Sequence, residues 1–236
     1  MKSRLLIMSL LSAVLFGSIE AHASQSKAIA LALKVSGDVS YRKANTDQVD
    51  ALKLGTALND GDWVKTGKDA FLVLIFTDDK TVLKMREFTE ATIQGKRDNK
   101  SNISKRISIE LGQMYAKVEQ QRGSLQIATP TSVASVKGTE FWIVVLADGT
   151  TQVLTLEGLV ELMSRRTGQV VDVQPGQRGA VNPQGEIERR DVLPEEIPND
   201  PAPDAPEAGN IQIQIQDENG RTRTINIDYN TQDGEE

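Results

Sequence analysis

Phe71-Leu72-Val73-Leu74-Ile75-Phe76-Thr77-Asp78-Asp79 is a dense apolar run closed by two acids, and Phe141-Trp142-Ile143-Val144-Val145-Leu146-Ala147-Asp148-Gly149 echoes it 70 residues later. Each copy reads as a β-hairpin. Asp-Gly supplies the positive-φ residues that a tight two-residue turn needs, and Asp-Asp does so less well. Each copy also follows a glycine, Gly67 or Gly138. Two similar hairpins suggest a pseudo-repeated sheet or a roll of few coils; two copies are too few for a long solenoid, and a chance likeness of two apolar hairpins is the alternative.

Working outward, period and punctuation favour strands almost everywhere after Lys34. Val35 to Tyr41 alternates apolar and polar residues, and Ala28 to Lys34 reads as lead-in to it. Further strands are expected at Thr81–Leu83, Ile107–Leu111, Met114–Val118, Ser124–Ala128, Gln152–Leu156, Leu159–Met163 and Val170–Val173. Turn residues such as Gly61-Asp62, Gly112, Gly123, Gly158, Gly168 and Pro175-Gly176 separate them, about 10 positions apart from Gly112 to Gly123 and from Gly158 to Gly168. That rhythm predicts an all-β domain, antiparallel-rich, as a roll, a sandwich or a short solenoid-like unit, rather than βαβ units.

The chain has 236 residues, with 27 Lys+Arg against 33 Asp+Glu, no cysteine and one histidine. That histidine is His22. Met1-Lys2-Ser3-Arg4, the apolar run Leu5 to Gly17 and the small-x-small site Ala21-His22-Ala23 predict a signal peptide over 1–23, cut after Ala23. A short uncleaved anchor is the other reading. The run falls short of the roughly 20 residues a helix needs to cross a bilayer, so no transmembrane segment is expected after cleavage. The mature chain is expected in the periplasm or secreted. Without His or Cys it has no means for His-based triads, thiol chemistry or disulfide staples, and almost none for transition-metal sites.

Composition shifts near Asn182. Six of the eight prolines lie between there and Asn210, among excess acids, which predicts a stiff extended linker over 182–210 after a main domain at 24–181. Residues 211–230 then read as a second hairpin: Ile211, Ile213 and Ile215 alternate with glutamines, Asp217-Glu218-Asn219-Gly220 turns the chain, and Ile225 and Ile227 return; 231–236 is expected as a disordered tail. Two strands cannot cover their own apolar face. The hairpin must dock on its own domain or pair with another chain by strand addition, which makes its isoleucines candidate partner-binding residues.

Enzymatic readings are weak. Lys65-Thr66-Gly67 matches one element of penicillin-binding enzymes, but Ser-Asp-Asn is missing and the expected fold is wrong. Asp60 with Asp62, and Asp78 with Asp79, read as turn acids. Oxygen-rich stretches lack the twelve-residue calcium pattern. Lys96 to Arg106 is the one basic stretch; it reads as a solvated loop, or as a contact for anionic lipid, polymer or an acidic partner. No aromatics interleave there as nucleic-acid stacking requires. No enzyme, cofactor or metal is expected.

Thr129-Pro130-Thr131-Ser132-Val133-Ala134-Ser135-Val136-Lys137-Gly138-Thr139-Glu140-Phe141 resembles the Thr-Pro-x-(small/apolar)-Arg-Gly-Thr-x-Phe stretch of FecR-like domains, with Lys137 in place of arginine. Leu58 to Gly67, including Gly61, Asp62, Thr66 and Gly67, is similar to that family's Leu-x-x-Gly-Asp-x-(apolar)-x-Thr-Gly segment. Glu157-Gly158-Leu159-Val160 resembles its Glu-Gly-x-Val step, and Pro175-Gly176-Gln177 its closing turn. The resemblance implies an all-β periplasmic binding module. In the family's namesake a cytoplasmic segment controls a sigma factor; no such segment precedes the apolar run here. The expected function is therefore a stand-alone exported interaction module for an envelope protein or polymer, with no nucleic-acid partner, and the alternative is a membrane-held sensor signalling to a cytoplasmic regulator such as a sigma factor.

Overall fold

The structure, a computed structural model, describes residues 28–118 and 122–200 in full, and the backbone of strands at 208–216 and 222–230. The expected signal peptide, the centre of the linker, the Asp217–Gly220 turn and the tail lie outside the described residues.

The described chain is all-β. Its strands are β1 (Ala30–Ser36), β2 (Val39–Arg42), β3 (Val49–Ala51), β4 (Ala57–Leu58), β5 (Asp62–Thr66), β6 (Phe71–Phe76), β7 (Val82–Met85) and β8 (Glu90–Arg97). Then come β9 (Ile103–Lys117), β10 (Leu125–Ala128), β11 (Ser132–Val145), β12 (Thr151–Ser164), β13 (Val170–Val173), β14 (Gln177–Val181) and β15 (Ile187–Asp191). These fifteen form one hydrogen-bonded system. β16 (Ala208–Gln216) and β17 (Thr222–Asn230) form a separate antiparallel pair.

Pairing resolves the large system into two layers that share their three longest strands. One layer runs β4-β1-β6-β7, continues through the second halves of β9 and β11 and the first half of β12, and ends on β14-β15. The other runs β3-β2-β5-β8, continues through the first half of β9, then β10, the first half of β11 and the second half of β12, and ends on β13. All pairs are antiparallel except β9 with β10. The chain repeatedly passes from layer to layer, as in a roll.

Two expected strand breaks are bends within strands. Gly112 and Gly158, expected as turns, lie inside β9 and β12, and Gly138 makes a like bend inside β11, all at positive φ. Each bend also changes which alternate residues face the core. In β9 the inward residues are Ile103, Ile107 and Ile109, then Met114 and Ala116. In β11 they are Ala134 and Val136, then Phe141, Ile143 and Val145; in β12, Val153, then Val160 and Leu162. An even repeat would have turned half of each strand outward. The extra residue at a bulge resets the face as the strand enters the opposite layer, so a single core fills the space between.

Both echoing hairpins exist, and they flank the same stretch of β9: β7 pairs with Val82 opposite Lys117, and β11 with Val145 opposite Gly112. Their turns are longer than the two residues expected. Phe76 N–H donates to Thr81 O around a loop with Lys80 at φ 59°, and Leu146 N–H donates to Thr150 O around one with Gly149 at φ 86°.

The chain stays with the domain past Val181, where the linker was expected to begin. β15 extends the first layer, and residues 192–197 cross its outer face, where Val192 and Ile197 cover Tyr115, Trp142 and Leu154. The Tyr115 and Trp142 rings meet at 5.4 Å and 56°. Val192 N–H donates to Gly176 O, Glu196 holds Arg190 through two hydrogen bonds, and Lys84 pairs with Asp200 while its Nζ lies 5.3 Å from the centre of the Tyr115 ring. Arg190 holds the Glu196 carboxyl well below its ordinary value, at about 2. Replacing Ile197 by Asp is expected to lift this strap and expose Trp142. In a Trp63→Phe background the emission should move to the red, while the cooperative melt persists.

Candidate functional site

The roll has two ends. At the bend end strands pass between layers; at the turn end hairpin loops from the two layers meet. The residues singled out by resemblance divide between these ends, and apart from the exposed Lys137 side chain their polar side chains are bonded within the fold.

At the bend end, Thr66 is fully buried; its hydroxyl donates to Arg86 O at 2.5 Å and accepts from Thr89 N–H at 2.9 Å. Gly67 N–H donates to Asp38 O. Gly138 and Gly158 face one another across the β11–β12 bend, and Thr139 ties them together by donating to Leu159 O at 2.9 Å. Lys137 is exposed there, and its carbonyl also takes the Thr139 hydroxyl. Phe141 is the first fully buried core residue after the bend. Gly176 donates to Thr155 O, while Pro175 is exposed.

At the turn end, Gly61 N–H donates to Ile93 O, and the buried Asp62 accepts from Ala44 N–H and Asn59 N–H, both at 2.9 Å. Asp60 accepts from Gly95 N–H. These acids close loops, and Lys65 lies exposed beside Glu90 at 3.4 Å. Thr129 is part of a hydroxyl knot: it accepts from Ser132 N–H at 2.9 Å and lies 2.7 Å from the Thr151 hydroxyl, while Thr131 donates to Gly149 O. Thr131 and Gly149 belong to turns at opposite ends of β11, and they touch because the strand folds over at Gly138. Pro130, Thr131, Arg165, Arg166, Asn182 and Pro183 line a shallow recess of about 320 Å3 beside this knot. Its two guanidiniums donate to Thr129 O and Pro183 O.

The first hairpin closes the same end with charge. Asp78 and Asp79, read from sequence as turn acids, hold Lys105 Nζ at 2.8 and 2.7 Å, and all three side chains are at most 1% exposed. Asp78 Oδ2 also accepts from Ile103 N–H, and Asp79 accepts from Arg122 N–H and Thr81 N–H. Lys105 Nζ donates further to the Arg122 and Ile103 carbonyls and lies 5.3 Å from the centre of the Phe76 ring. Burial alone would push the Asp79 carboxyl up; hydrogen bonds from Lys105, Arg122 and Thr81 outweigh it and hold it below the usual carboxylate range. Asp78 Oδ1 is buried and has no partner.

This cluster corrects the reading of Lys96–Arg106 as one solvated basic loop. Lys105 is in the interior, and Arg97 reaches inward to Ala28 O and the Thr77 hydroxyl. Asp98 caps the turn through Lys100 and Asn102. Of its cations, Lys96, Lys100 and Arg106 remain exposed. Sequence reasoning missed Lys105 because it stands in a run of cations; the strand alternation Ile103-x-Lys105-x-Ile107 was the available signal.

Among the described residues no group of three or more His, Cys, Asp or Glu could hold a metal ion, and no helix is long and apolar enough to cross a membrane. Ile211 is opposite Ile227 and Ile213 opposite Ile225 in the β16–β17 pair, with Ile215 opposite Arg223. Register therefore places all five isoleucines on one face of that hairpin.

The FecR protein family model matches residues 62–161, from the first residue of β5 into β12, so this part of the chain is similar to the FecR protein family. Gly61, Pro175 and Gly176 fall outside the matched residues. No curated protein matches the chain. Two crystal structures, each described as that of a candidate anti-sigma factor from Parabacteroides distasonis, are similar to it. The first is 18% identical with a TM-score of 0.45 and covers 55% of this chain and 59% of its own. The second is 17% identical with a TM-score of 0.35 and covers 65% and 60%. The chain spans about three fifths of the length of these structures.

Proposed function

We propose that this chain is an exported, non-catalytic FecR-type interaction module that binds an envelope protein or polymer, and that this binding serves a regulatory or signalling role. The observation that carries it is the β16–β17 pair, which forms a two-stranded sheet of its own and whose register collects five isoleucines on one face. Such a hairpin needs a second layer, and a partner surface supplies one. The motif residues of the main domain support the same reading, since their polar groups are engaged in closing the roll. The export reading rests on the Met1–Ala23 pattern.

Removing residues 209–236 is expected to abolish crosslinked capture of the partner from intact envelopes while leaving the main domain's melt unchanged. A large fall in melting temperature would place the hairpin in the domain's own core and sink the docking role. The native protein is expected to begin at Ser24 by mass spectrometry. An intact Met1 in the membrane fraction would favour the membrane-held sensor instead.

A further inference from the structure

Lys105, Asp78 and Asp79 form a buried cluster of one ammonium and two carboxylates. Left as ions, the two carboxylates and one ammonium keep a net negative charge out of water, where an unbalanced charge is costly. Asp78 is the strained member: Oδ2 accepts from both Lys105 and Ile103 N–H, while Oδ1 has no partner. A primary amine and a carboxyl are already in contact at 2.8 Å, with the Phe76 ring over the nitrogen and a second carboxylate at 2.7 Å.

From this geometry we infer that Lys105 Nζ condenses with the Asp78 carboxyl to form an intramolecular isopeptide bond, with Asp79 carrying the proton. Asp79 takes a proton from the ammonium, and the freed lone pair attacks Asp78 Cγ. The Ile103 N–H holds Oδ2 as negative charge gathers on it, in the manner of an oxyanion donor. The Cγ–Oδ1 bond then breaks and Oδ1, the oxygen without a partner, leaves as water with two protons that began on Nζ. Asp79 ends ionised, as it started, and accepts the amide N–H. Nothing is oxidised or reduced, and no co-reactant is needed.

Two effects drive the step. Fixing amine and carboxyl in contact replaces a bimolecular encounter by an intramolecular one. In open water hydration of the ions and the abundance of water favour hydrolysis; a buried pair loses both advantages. The product ties the β6–β7 turn to the start of β9 in a chain without cysteine.

The test is the mass of the folded, full-length protein, with its N-terminus fixed by peptide mapping. The expected result is a deficit of one water, trypsin resistance at Lys105, and a branched peptide joining the segments that hold residues 78 and 105. Lys105→Met should regain the water, and Asp78→Asn, if it condenses, should lose ammonia instead. A folded wild-type protein at full sequence mass overturns the proposal. So does a deficit that persists in Lys105→Met or maps to a succinimide at Asp148-Gly149; because the wild-type readout suffices, a variant that fails to fold does not block the test.

Discussion

Gly158→Ala is expected to be among the most damaging single-methyl additions to this protein, with a loss of about 4 kcal/mol in denaturant melts. A Cβ there would lie 2.3 Å from the Gly138 carbonyl oxygen and 2.9 Å from Thr139 Cα, at a residue whose φ is 78°. Both neighbours are backbone, so neither can swing aside. Gly138→Ala provides the control at the same bend: its φ is 60°, but nothing lies within 4 Å of an added Cβ. It should cost only the left-handed penalty, about 1–2 kcal/mol. Equal losses at both positions would mean that conformation, not the close approach of the two strands, controls the bend. Against a total stability of about 5–15 kcal/mol, the larger loss removes about a quarter to four fifths of the margin.

Relative to the ion-paired cluster of the structure, Lys105→Met should lower stability by about 3–5 kcal/mol, because it leaves two buried carboxylates without their cation; loss of the amide inferred above would widen that gap. The pH dependence carries a sign that distinguishes this from lost packing. In the wild type the Asp79 carboxyl titrates below its ordinary value, so its contribution is full above the unfolded pKa and fades as pH falls through the lowered one. In Lys105→Met the burial of Asp79 is no longer outweighed by the lysine, and protonating that carboxyl relieves it. The gap between wild type and variant should therefore narrow from pH 7 toward pH 4. A gap that stays constant would assign the loss to packing around Phe76. Adding Asp79→Asn to Lys105→Met should recover part of the loss at neutral pH.

Much of the fold was legible because short apolar runs bounded by turn residues leave little choice: Phe71–Phe76 and Val170–Val173 are strands with the expected limits. The bends were harder. Glycine marks both the end of a strand and a bulge within one, and local sequence does not separate the two. The shift from Ile107 and Ile109 to Met114 and Ala116 across Gly112, from odd to even positions, was the visible sign. Residues 182–200 misled for a different reason. Proline and acid content reports how little a segment can bury, but Val192 and Ile197 suffice to lay this one across an aromatic face already present. At the site, Asp78 and Asp79 look like ordinary turn acids until β9 folds back and brings Lys105 to them. That juxtaposition depends on strands distant in sequence, so no local pattern encodes it.

The strap over Tyr115 and Trp142 also sets how the domain bears load. If the β16–β17 hairpin is the docking element proposed above, a partner pulling on it would load Asp200 first, then the 192–197 crossing, then β15 at the sheet edge. A pull that peels this edge strand away would open its hydrogen bonds one after another rather than shear the whole ladder at once. The C-terminal edge is thus the compliant end of the molecule, and the layers crossed by β9, β11 and β12 are its anchor. A pull on the hairpin would uncover the indole of Trp142 well before it disturbed the Phe141 side of the same strand.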